Sequence, residues 1–483
     1  MWNSALVLFL SDWAVRIFFS FLVIMRRRNA SESLAWLTII LLFPFGGALI
    51  YLLLGEVRLG NRRTRWASQL EHQHKSWLAR QTANVKNHWN REDHDPELLA
   101  KLVTGSVKIP PLTGNQIELI DHAEAIFESM VREITRAQTR CWVESYIWEV
   151  GGTADDVANA ISEAARRGVD CRILVDAVGS RGFLRSQQCA SLRSAGVQVR
   201  QALPVGLFRA FFYRFDLRLH RKILVVDHET AFVGSQNMAD PKIFKKGAGV
   251  GQWIDAMTRI SGPAVDPVSL IFLEDWQLES MSAIDISENA LGNEKIPVAT
   301  GQIVVQVIPS GPETQSQVME RIVLNAIYMA DRRLSITTPY LVPSESMQTA
   351  LLSAAGRGVD VRIIIPARVD SRLVELASRP FLRELAAAGV KIARYQPGML
   401  HTKSVIIDDD TSLFGSLNLD PRSMHLNFEI TLAVYDRKFS QQLAELHDRY
   451  MSKSIVANQK LLSLPSMPVR FIENSVRLIS PLL

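Results

Sequence analysis

Two segments of this chain repeat one pattern of residue types that suits chemistry at a phosphate. Each copy has a histidine, a lysine two residues later, an aspartate at the end of the following apolar run, and then a Gly-Ser-x-Asn stretch. Every position of the second copy lies 181 residues after its counterpart, so neither copy contains a gap. A lone histidine beside a strand is more often structural than catalytic, but two matching copies favour catalysis. The candidate residues are His220, Lys222, Asp227, Ser235 and Asn237 in the first copy and His401, Lys403, Asp408, Ser416 and Asn418 in the second.

The spacing within each copy has a chemical meaning. His220 and Lys222 are two residues apart on a predicted strand that continues through Ile223 to Val226, so their side chains share one face. An imidazole can attack phosphorus while an ammonium group neutralises charge on oxygen. The Ser and Asn side chains add hydrogen-bond donors for an anion, and the glycine permits a close backbone approach. This pattern predicts a site for a phosphodiester.

The two aspartates of the pattern have a second interpretation. Asp227 and Asp408 each follow an apolar strand, where a structural turn commonly places an aspartate. We expect them to support the architecture as much as the chemistry.

A wider internal repeat predicts the elements that carry these residues. The segment 164–170 leads into an apolar run at 171–176, and the segment 354–360 leads into a matching run at 361–366. Each reads as a helix that ends at a glycine and is followed by a buried strand. Alternation of helices and apolar strands predicts an α/β fold with a largely buried sheet.

The N-terminal region predicts a membrane anchor. Residues 34–54 carry no charge over a length that matches the hydrocarbon core of a bilayer, and residues 5–25 are strongly apolar apart from Asp12 and Arg16. These two charges are spaced to pair within one helix. We expect two transmembrane helices at about 5–25 and 34–54 within residues 1–60, followed by a polar linker at 61–110. Two α/β domains are predicted to follow, at 111–295 and 296–483.

Charge and cysteine content bear on the partners of the chain and on its compartment. Lysine and arginine number 54 and aspartate and glutamate 49, so the net charge is only +5 and argues for no nucleic acid partner. Three cysteines without metal-type spacing favour a reducing compartment. Arginines lie both between and after the two apolar segments, so the sequence leaves the orientation open. We expect the catalytic domains on the cytoplasmic side.

The paired motifs resemble those of the phospholipase D superfamily, over roughly residue 117 to the C-terminus. The resemblance implies that the two domains pack about a pseudo-twofold axis and bring His220 and His401 into one site. One histidine then forms a covalent phosphohistidine, while the other protonates the departing alcohol and deprotonates the incoming one. Family precedent favours His220 as the nucleophile.

In this superfamily an acidic residue downstream of the motif holds the second ring nitrogen of the histidine. Glu429 matches that position after His401, and Asp255 is the counterpart after His220, although the connection there differs in length. The alternative for either acid is an ordinary salt bridge.

Further segments resemble bacterial cardiolipin synthases nearly from end to end. They include Pro44-Phe45-Gly46-Gly47, Thr338-Pro339-Tyr340 and Asn418-Leu419-Asp420-Pro421-Arg422-Ser423. The resemblance implies a multi-pass enzyme of the bacterial inner membrane that transfers a phosphatidyl group from one phosphatidylglycerol to another, giving cardiolipin and glycerol. It implies no metal and no cofactor.

Other functions remain open at this level. The enzyme could be a phospholipase D-type hydrolase or use a headgroup alcohol other than glycerol, and the sequence does not give the oligomeric state. Two further segments are candidates for contact with the bilayer. The aromatic and arginine-rich stretch 208–215 is either an interfacial segment or a core helix, and nothing in the stretch 469–483 is diagnostic.

Overall fold

The fold is described from a computed structural model that covers residues 4–26, 30–55, 96–206, 214, 216–280, 298–312, 317–457, 463 and 465–478. The chain divides into two compact units. One contains residues 1–64 and 205–217, and the other contains residues 65–204 and 218–483. Most of the aromatic stretch 208–215 and residues 61–95 of the predicted linker lie outside the described residues.

The N-terminal unit begins with an apolar helix, α1 (Ser4–Met25), which is long enough to cross a bilayer. Asp12 and Arg16 form the expected ion pair along it, at 2.7 Å. Within the described residues, no other helix is both long and apolar enough to span.

The second apolar segment is not the single continuous helix that was expected at 34–54. It is divided into α2 (Ala30–Leu42) and α3 (Pro44–Ile50), followed by a turn of π-helix at Tyr51–Gly55. The break has a local cause, because Pro44 has no backbone N–H to donate and disfavours the helical conformation at Phe43, where φ is −131° and ψ is 72°. The segments pack on one another around Tyr51, whose ring lies 5.3 Å from that of Trp36.

In the other unit, the described strands include fifteen that form one mixed sheet. The first repeat supplies β1 (Leu112–Ile120), β2 (Arg140–Ser145), β3 (Asp170–Asp176), β4 (Gln198–Ala202), β5 (Ile223–Val226), β6 (Thr230–Gly234) and β8 (Met257–Ser261), while β7 (Gln252–Ile254) lies outside this sheet. The second supplies β9 (Ile303–Ser310), β10 (Arg333–Thr337), β11 (Asp360–Pro366), β12 (Lys391–Tyr395), β14 (Ser404–Ile407), β15 (Thr411–Gly415), β16 (Glu429–Tyr435) and β17 (Ser454–Val456), while β13 (Gly398–Leu400) pairs with β7.

The strand order shows the repeat directly. From the centre outward the first half runs β1, β8, β6, β5, β2, β3, β4, and the second half runs β9, β16, β15, β14, β10, β11, β12 before its edge strand β17. The halves join through antiparallel pairing of β1 with β9. Because corresponding strands occupy corresponding places on either side of this joint, the two α/β domains are related by a pseudo-twofold axis, as the resemblance implied.

Helices cover the sheet in both repeats. The first repeat contributes α5 (Ala123–Arg136), α6 (Thr153–Arg166), α7 (Arg181–Leu184), α8 (Gln187–Ser194) and α9 (Val265–Ser280). The second contributes α10 (Val318–Met329), α11 (Glu345–Gly356), α12 (Arg372–Ala387), α13 (Pro421–His425), α14 (Arg437–Ser452) and α15 (Met467–Leu478). Apolar faces of these helices and the sheet form the main clusters of buried side chains.

One helix lies where the sequence predicted a polar linker. Helix α4 (Pro96–Val107) buries Leu99 and Val103 in the same apolar cluster as α10 and α11. The side chain of Gln306 on β9 donates to the carbonyl oxygen of Ala100 at 3.2 Å, which fixes the helix further. The 96–107 part of the predicted linker is therefore part of the core.

Candidate active site

The two motif histidines are held crosswise, each by the acid of the other repeat. His220 Nδ1 lies 2.8 Å from Glu429 Oε2, and His401 Nδ1 lies 2.6 Å from Asp255 Oδ1. The sequence placed each acid downstream of the histidine of its own repeat, so the pairing is a correction. All four side chains are buried.

Two short backbone contacts between the repeats create this exchange. β7 and β13 pair in parallel, and they end immediately before Asp255 and His401. An isolated parallel bridge joins Leu219 to Phe428, immediately before His220 and Glu429. β7 and β13 can approach this closely because Gly398 has no side chain, since a Cβ there would lie 2.3 Å from the carbonyl oxygen of Gln252.

The acids fix the proton position on each ring. Burial acts to raise the pKa of Glu429 and of Asp255, but the neighbouring histidine and lysine outweigh it and hold each pKa below its ordinary value. An ionised carboxylate only accepts hydrogen bonds, so Nδ1 of each imidazole must be the donor. In the neutral ring Nε2 then carries the lone pair, as a nucleophile or general base requires.

Burial also sets the charge state of the histidines. It lowers the pKa of His220 to about 4 and that of His401 to about 3, although the partner carboxylates act in the opposite direction. Both rings are therefore neutral near pH 7. The charge of Lys403 acts on His220 and that of Lys222 acts on His401, so the groups of both repeats belong to one electrostatic cluster.

Each motif lysine lies beside its histidine, and among the described residues no carboxylate forms a salt bridge with either ammonium group. Lys222 Nζ donates to the carbonyl oxygen of His220 at 2.6 Å, and Lys403 Nζ donates to that of His401 at 2.5 Å. Burial lowers the pKa of Lys222 to about 8 and holds that of Lys403 well below its usual range. An anion entering this site gains favourable interactions with both ammonium groups and favours their charged form.

The motif serines support the acids. Ser416 Oγ donates to Glu429 Oε2 at 2.5 Å, and the backbone N–H of Ile430 donates to Ser416 Oγ at 3.0 Å. Ser235 has the matching position, because the N–H of Ala256 donates to its Oγ at 3.1 Å and its hydroxyl helps to lower the pKa of Asp255. This placement corrects the expectation that these hydroxyl groups face the phosphate.

The motif asparagines differ between the repeats. Asn237 Oδ1 accepts from the N–H of Ile147 at 3.2 Å, which ties the motif to the end of β2. Asn418 hydrogen-bonds to Asp420, whose pKa burial raises to about 6, while its own Oδ1 is buried without a partner among the described residues.

The motif aspartates lie away from the histidines. Asp227 and Asp408 follow β5 and β14, whereas the histidine and lysine precede those strands. Asp227 accepts from the backbone N–H groups of Gln138, Thr139 and Arg140, at 2.8–3.2 Å. Asp408 accepts from the N–H groups of residues 331–333 in the same way. We therefore assign both carboxylates to the architecture and not to the reacting phosphate.

Some residues near the histidines were not found from the sequence. The ring of Tyr146 lies 5.0 Å from that of His220, and the ring of Trp253 lies 4.4 Å from that of His401. Asp176 accepts from the backbone N–H of Leu219 at 3.0 Å and so holds the residue before His220. These neighbours have no counterpart 181 residues away in the other repeat, so the comparison of the two motifs could not identify them.

A network of buried charged residues lies beneath the first motif. Arg221 forms a buried ion pair with Asp275, and its Nε donates to the carbonyl oxygen of Glu429 at 3.0 Å. Burial and the charge of Asp275 raise the pKa of the adjacent Glu144 well above its ordinary value. Thr402 replaces Arg221 in the second motif and pairs with Tyr450 at 3.0 Å. The two histidines therefore have different surroundings.

Within the described ranges, no group of three or more His, Cys, Asp or Glu side chains is arranged to hold a metal ion.

Comparisons with known proteins identify the relatives of this chain. The family described as "Cardiolipin synthase, PLD-like domain" matches residues 130–246 and 323–451, and the family described as "Phospholipase_D-nuclease N-terminal" matches residues 14–56. Cardiolipin synthase A of Klebsiella pneumoniae subsp. pneumoniae is 40% identical over 463 residues, which are 95% of each chain. Cardiolipin synthase A of Erwinia tasmaniensis is 40% identical over 465 residues, with the same coverage.

A solved structure supports the fold independently. Phosphatidylserine synthase of Haemophilus influenzae Rd KW20 superposes with a TM-score of 0.59 at 16% identity, over 80% of this chain and 100% of that one. At this identity the likeness concerns the fold alone.

Proposed function

The chain belongs to the cardiolipin synthase family of the phospholipase D superfamily and is a phospholipid phosphatidyltransferase; from that premise we propose that it joins two phosphatidylglycerol molecules through a phosphohistidine. The crosswise histidine–acid pairs carry the proposal, because they present two imidazoles of defined tautomer to one site. The products are cardiolipin and glycerol.

In the first half-reaction, His220 Nε2 attacks the phosphorus of the donor lipid. The P–N bond forms as the bond from phosphorus to the glycerol headgroup breaks, and His401 Nε2 delivers a proton to the departing glycerol oxygen. The bound phosphodiester is anionic and acts against the effect of burial, so it raises the pKa of His401 toward the range of a general acid.

In the second half-reaction, the roles of His401 reverse. Its Nε2, now without the proton, takes the proton of a glycerol hydroxyl on the acceptor phosphatidylglycerol. The hydroxyl oxygen attacks phosphorus, the P–N bond breaks and His220 is restored. Lys222 and Lys403 neutralise charge on the non-bridging oxygens in both steps. One phosphodiester bond replaces another, so the reaction balances without an outside energy source.

We also propose a location. Helix α1 crosses the bacterial inner membrane and the apolar segment 30–55 crosses it a second time as a broken helix, so the protein is multi-pass with its catalytic domains on the cytoplasmic side. The three cysteines support that side, because all are buried free thiols and Cys141 and Cys171 are neighbours on paired strands.

The first test is product analysis with purified full-length protein and vesicles of phosphatidylglycerol alone. We expect diphosphatidylglycerol and free glycerol, and neither from His401→Ala. Phosphatidic acid as the sole lipid product would mean that water is the acceptor, and the transferase proposal would fail.

A second experiment identifies the nucleophile. The reaction is quenched in alkali, which preserves phosphohistidine, and peptide mapping then locates the modified histidine. A phosphatidyl group on His401 would reverse the two roles.

A further inference from the structure

A groove of about 650 Å³ lies in the second repeat, between α12, α15 and the ends of β11 and β12. This volume falls in the range of ordinary ligand pockets. Its walls are mainly apolar and include Val374, Leu382, Val456 and Val469. The charged residues among its lining are Arg368, Arg379, Arg383 and Arg394 together with Glu375 and Glu473. An apolar groove with an excess of arginine suits a molecule that has both a hydrocarbon part and a negative charge.

The C-terminal helix α15 forms one wall and is fixed by a buried charge. Pro465, Val469 and Glu473, which are spaced by four residues, face the groove. The side chain of Glu473 is only 1% exposed, and it pairs with Arg383 at 2.5 Å and with Arg379 at 3.7 Å. The helix therefore has a defined inner face.

The outer face of α15 is apolar and exposed. Met467 is 77% exposed and Phe471 is 74% exposed, and Ile472 beside them is half exposed. Exposed large apolar residues that lie one helical turn apart and next to Arg470 are typical of a helix in a membrane interface. The edge strand β17 adds exposed Ile455 beside the groove.

The groove reaches the surroundings of one catalytic histidine. Pro339 and Tyr340 line it, and Tyr340 packs in the apolar cluster that contains Trp253. The ring of Trp253 lies 4.4 Å from that of His401. The groove is therefore connected to His401 through the side chains of Tyr340 and Trp253.

The first repeat has different elements at the position of this groove. There, the short helices α7 and α8 replace the 16-residue α12, and the described residues contain no counterpart of α15. Paired histidines combined with a groove on the side of one repeat are what an enzyme needs if it holds two like lipids differently.

We propose that this groove binds an acyl chain of one phosphatidylglycerol, with the lipid entering from a bilayer in which the outer face of α15 rests. The identity of the lipid rests on the proposed function. The arginines of the lining attract the anionic phospholipid. The apolar walls give the acyl chain an environment like the bilayer interior from which it comes.

The test fills the groove in the full-length protein. Val456→Trp and Val469→Trp place a large ring in it from opposite walls, at positions that are 48% and 37% exposed and therefore tolerant of size. Leu98→Trp, at a 56% exposed position of α4 outside the groove, is the matched control. Turnover is measured with long-chain phosphatidylglycerol in vesicles and with dihexanoyl phosphatidylglycerol below its micelle concentration.

We expect both groove variants to lose about tenfold in kcat/KM on the long-chain lipid while they remain within about twofold of the parent on the short-chain lipid. The control should match the parent on both. Equal loss on both lipids, or no loss on either, would overturn the inference, whereas a parent protein that makes no cardiolipin would instead contradict the proposed function.

A second measurement does not depend on turnover. The native cysteines are buried, so Phe471→Cys can be labelled selectively with an environment-sensitive fluorophore in proteoliposomes. Lipids brominated near the headgroup end of the chain should quench this label, and should leave a label at Glu163→Cys on the exposed side of α6 unchanged. Equal quenching at the two positions would remove α15 from the interface.

Discussion

At the scale of single residues, the crosswise pairing makes each catalytic dyad depend on both repeats. His220 has its acid 209 residues away in sequence, and His401 has its acid 146 residues away. The hydroxyl of Ser416 binds the same oxygen of Glu429 that holds His220, so the acid itself has a fixed position. A carboxylate fixed in this way keeps the proton on Nδ1 and leaves Nε2 for the reaction.

This pairing predicts different defects for the two acids when the leaving group needs no proton. With a phosphatidyl ester of p-nitrophenol, Glu429→Gln should slow the burst of nitrophenol at least about 10²-fold, because an amide in place of the carboxylate no longer holds the proton of His220 on Nδ1. Asp255→Asn should keep the burst and slow the later turnover, because it affects only His401. Stopped-flow absorbance measures both phases.

The two variants are controls for each other, since both remove one buried carboxylate of a dyad. A lost burst in Asp255→Asn together with a normal burst in Glu429→Gln would contradict this assignment. It would mean either that each acid serves the histidine of its own repeat or that His401 is the nucleophile, and mapping of the modified histidine separates the two.

The residues of the site could be predicted from the sequence where the repeat preserves them. His220, Lys222 and their counterparts share one displacement, which is strong evidence from a single chain. The partner of each acid could not be predicted, because it depends on the pairing of β7 with β13, two strands of three residues each. The role of Ser416 was misread for a related reason, since a serine that binds a carboxylate and one that binds a phosphate look alike in sequence.

At the scale of elements, the motif aspartates hold the start of a neighbouring strand. Asp227 and Asp408 have left-handed φ values of 51° and 52°, and their carboxylates accept the N–H groups that precede β2 and β10. Each motif strand is thereby tied to the next strand of the sheet. This connection also fixes the position of the histidine and lysine at the other end of the same strand.

Replacing these aspartates should cost stability more than chemistry. Asp227→Ala should lower the free energy of unfolding by roughly 1–3 kcal/mol, because three backbone donors lose a charged acceptor and alanine disfavours this φ. Asp227→Asn should cost less, since asparagine tolerates the conformation and keeps one acceptor oxygen. Thermal unfolding in detergent ranks the stabilities of the two variants and the parent. Turnover per folded molecule should change by less than about tenfold.

The same pair of changes at Asp408 is the internal comparison, since the two sites have matching donors. If Asp227→Asn abolished turnover without altering the unfolding midpoint, the aspartate would belong to the chemistry after all.

Element boundaries were predicted well where one signal dominates and poorly where two compete. The apolar run at 5–25 matches α1 almost residue for residue. In the run at 34–54, absence of charge predicted one helix, yet Pro44 within it divides the segment at Phe43. At 96–107 polar neighbours concealed a helix, since the buried residues on its face are few: Pro96, Leu99, Ala100 and Val103.

At the scale of the whole catalytic unit, one sheet runs through both repeats and the active site lies across their junction. β1 and β9 join the halves by antiparallel pairing, and β16, which begins at Glu429, pairs along its whole length with β9. Both histidine–acid pairs close within a single chain. Each molecule therefore contains a complete site, whatever its oligomeric state.

A mixing experiment tests this conclusion. Chains that carry His220→Ala and chains that carry His401→Ala should each be inactive, and their co-expression in one membrane should restore no cardiolipin synthesis. Each chain supplies only one intact imidazole to its own site, and the continuous sheet leaves no way to exchange repeats without breaking the pairing of β1 with β9. Co-expression of either variant with the parent chain controls for assembly and should preserve the activity of the parent. Recovered synthesis in the mixed membrane would show that sites form between chains, and the dyads described within one molecule would then belong to two.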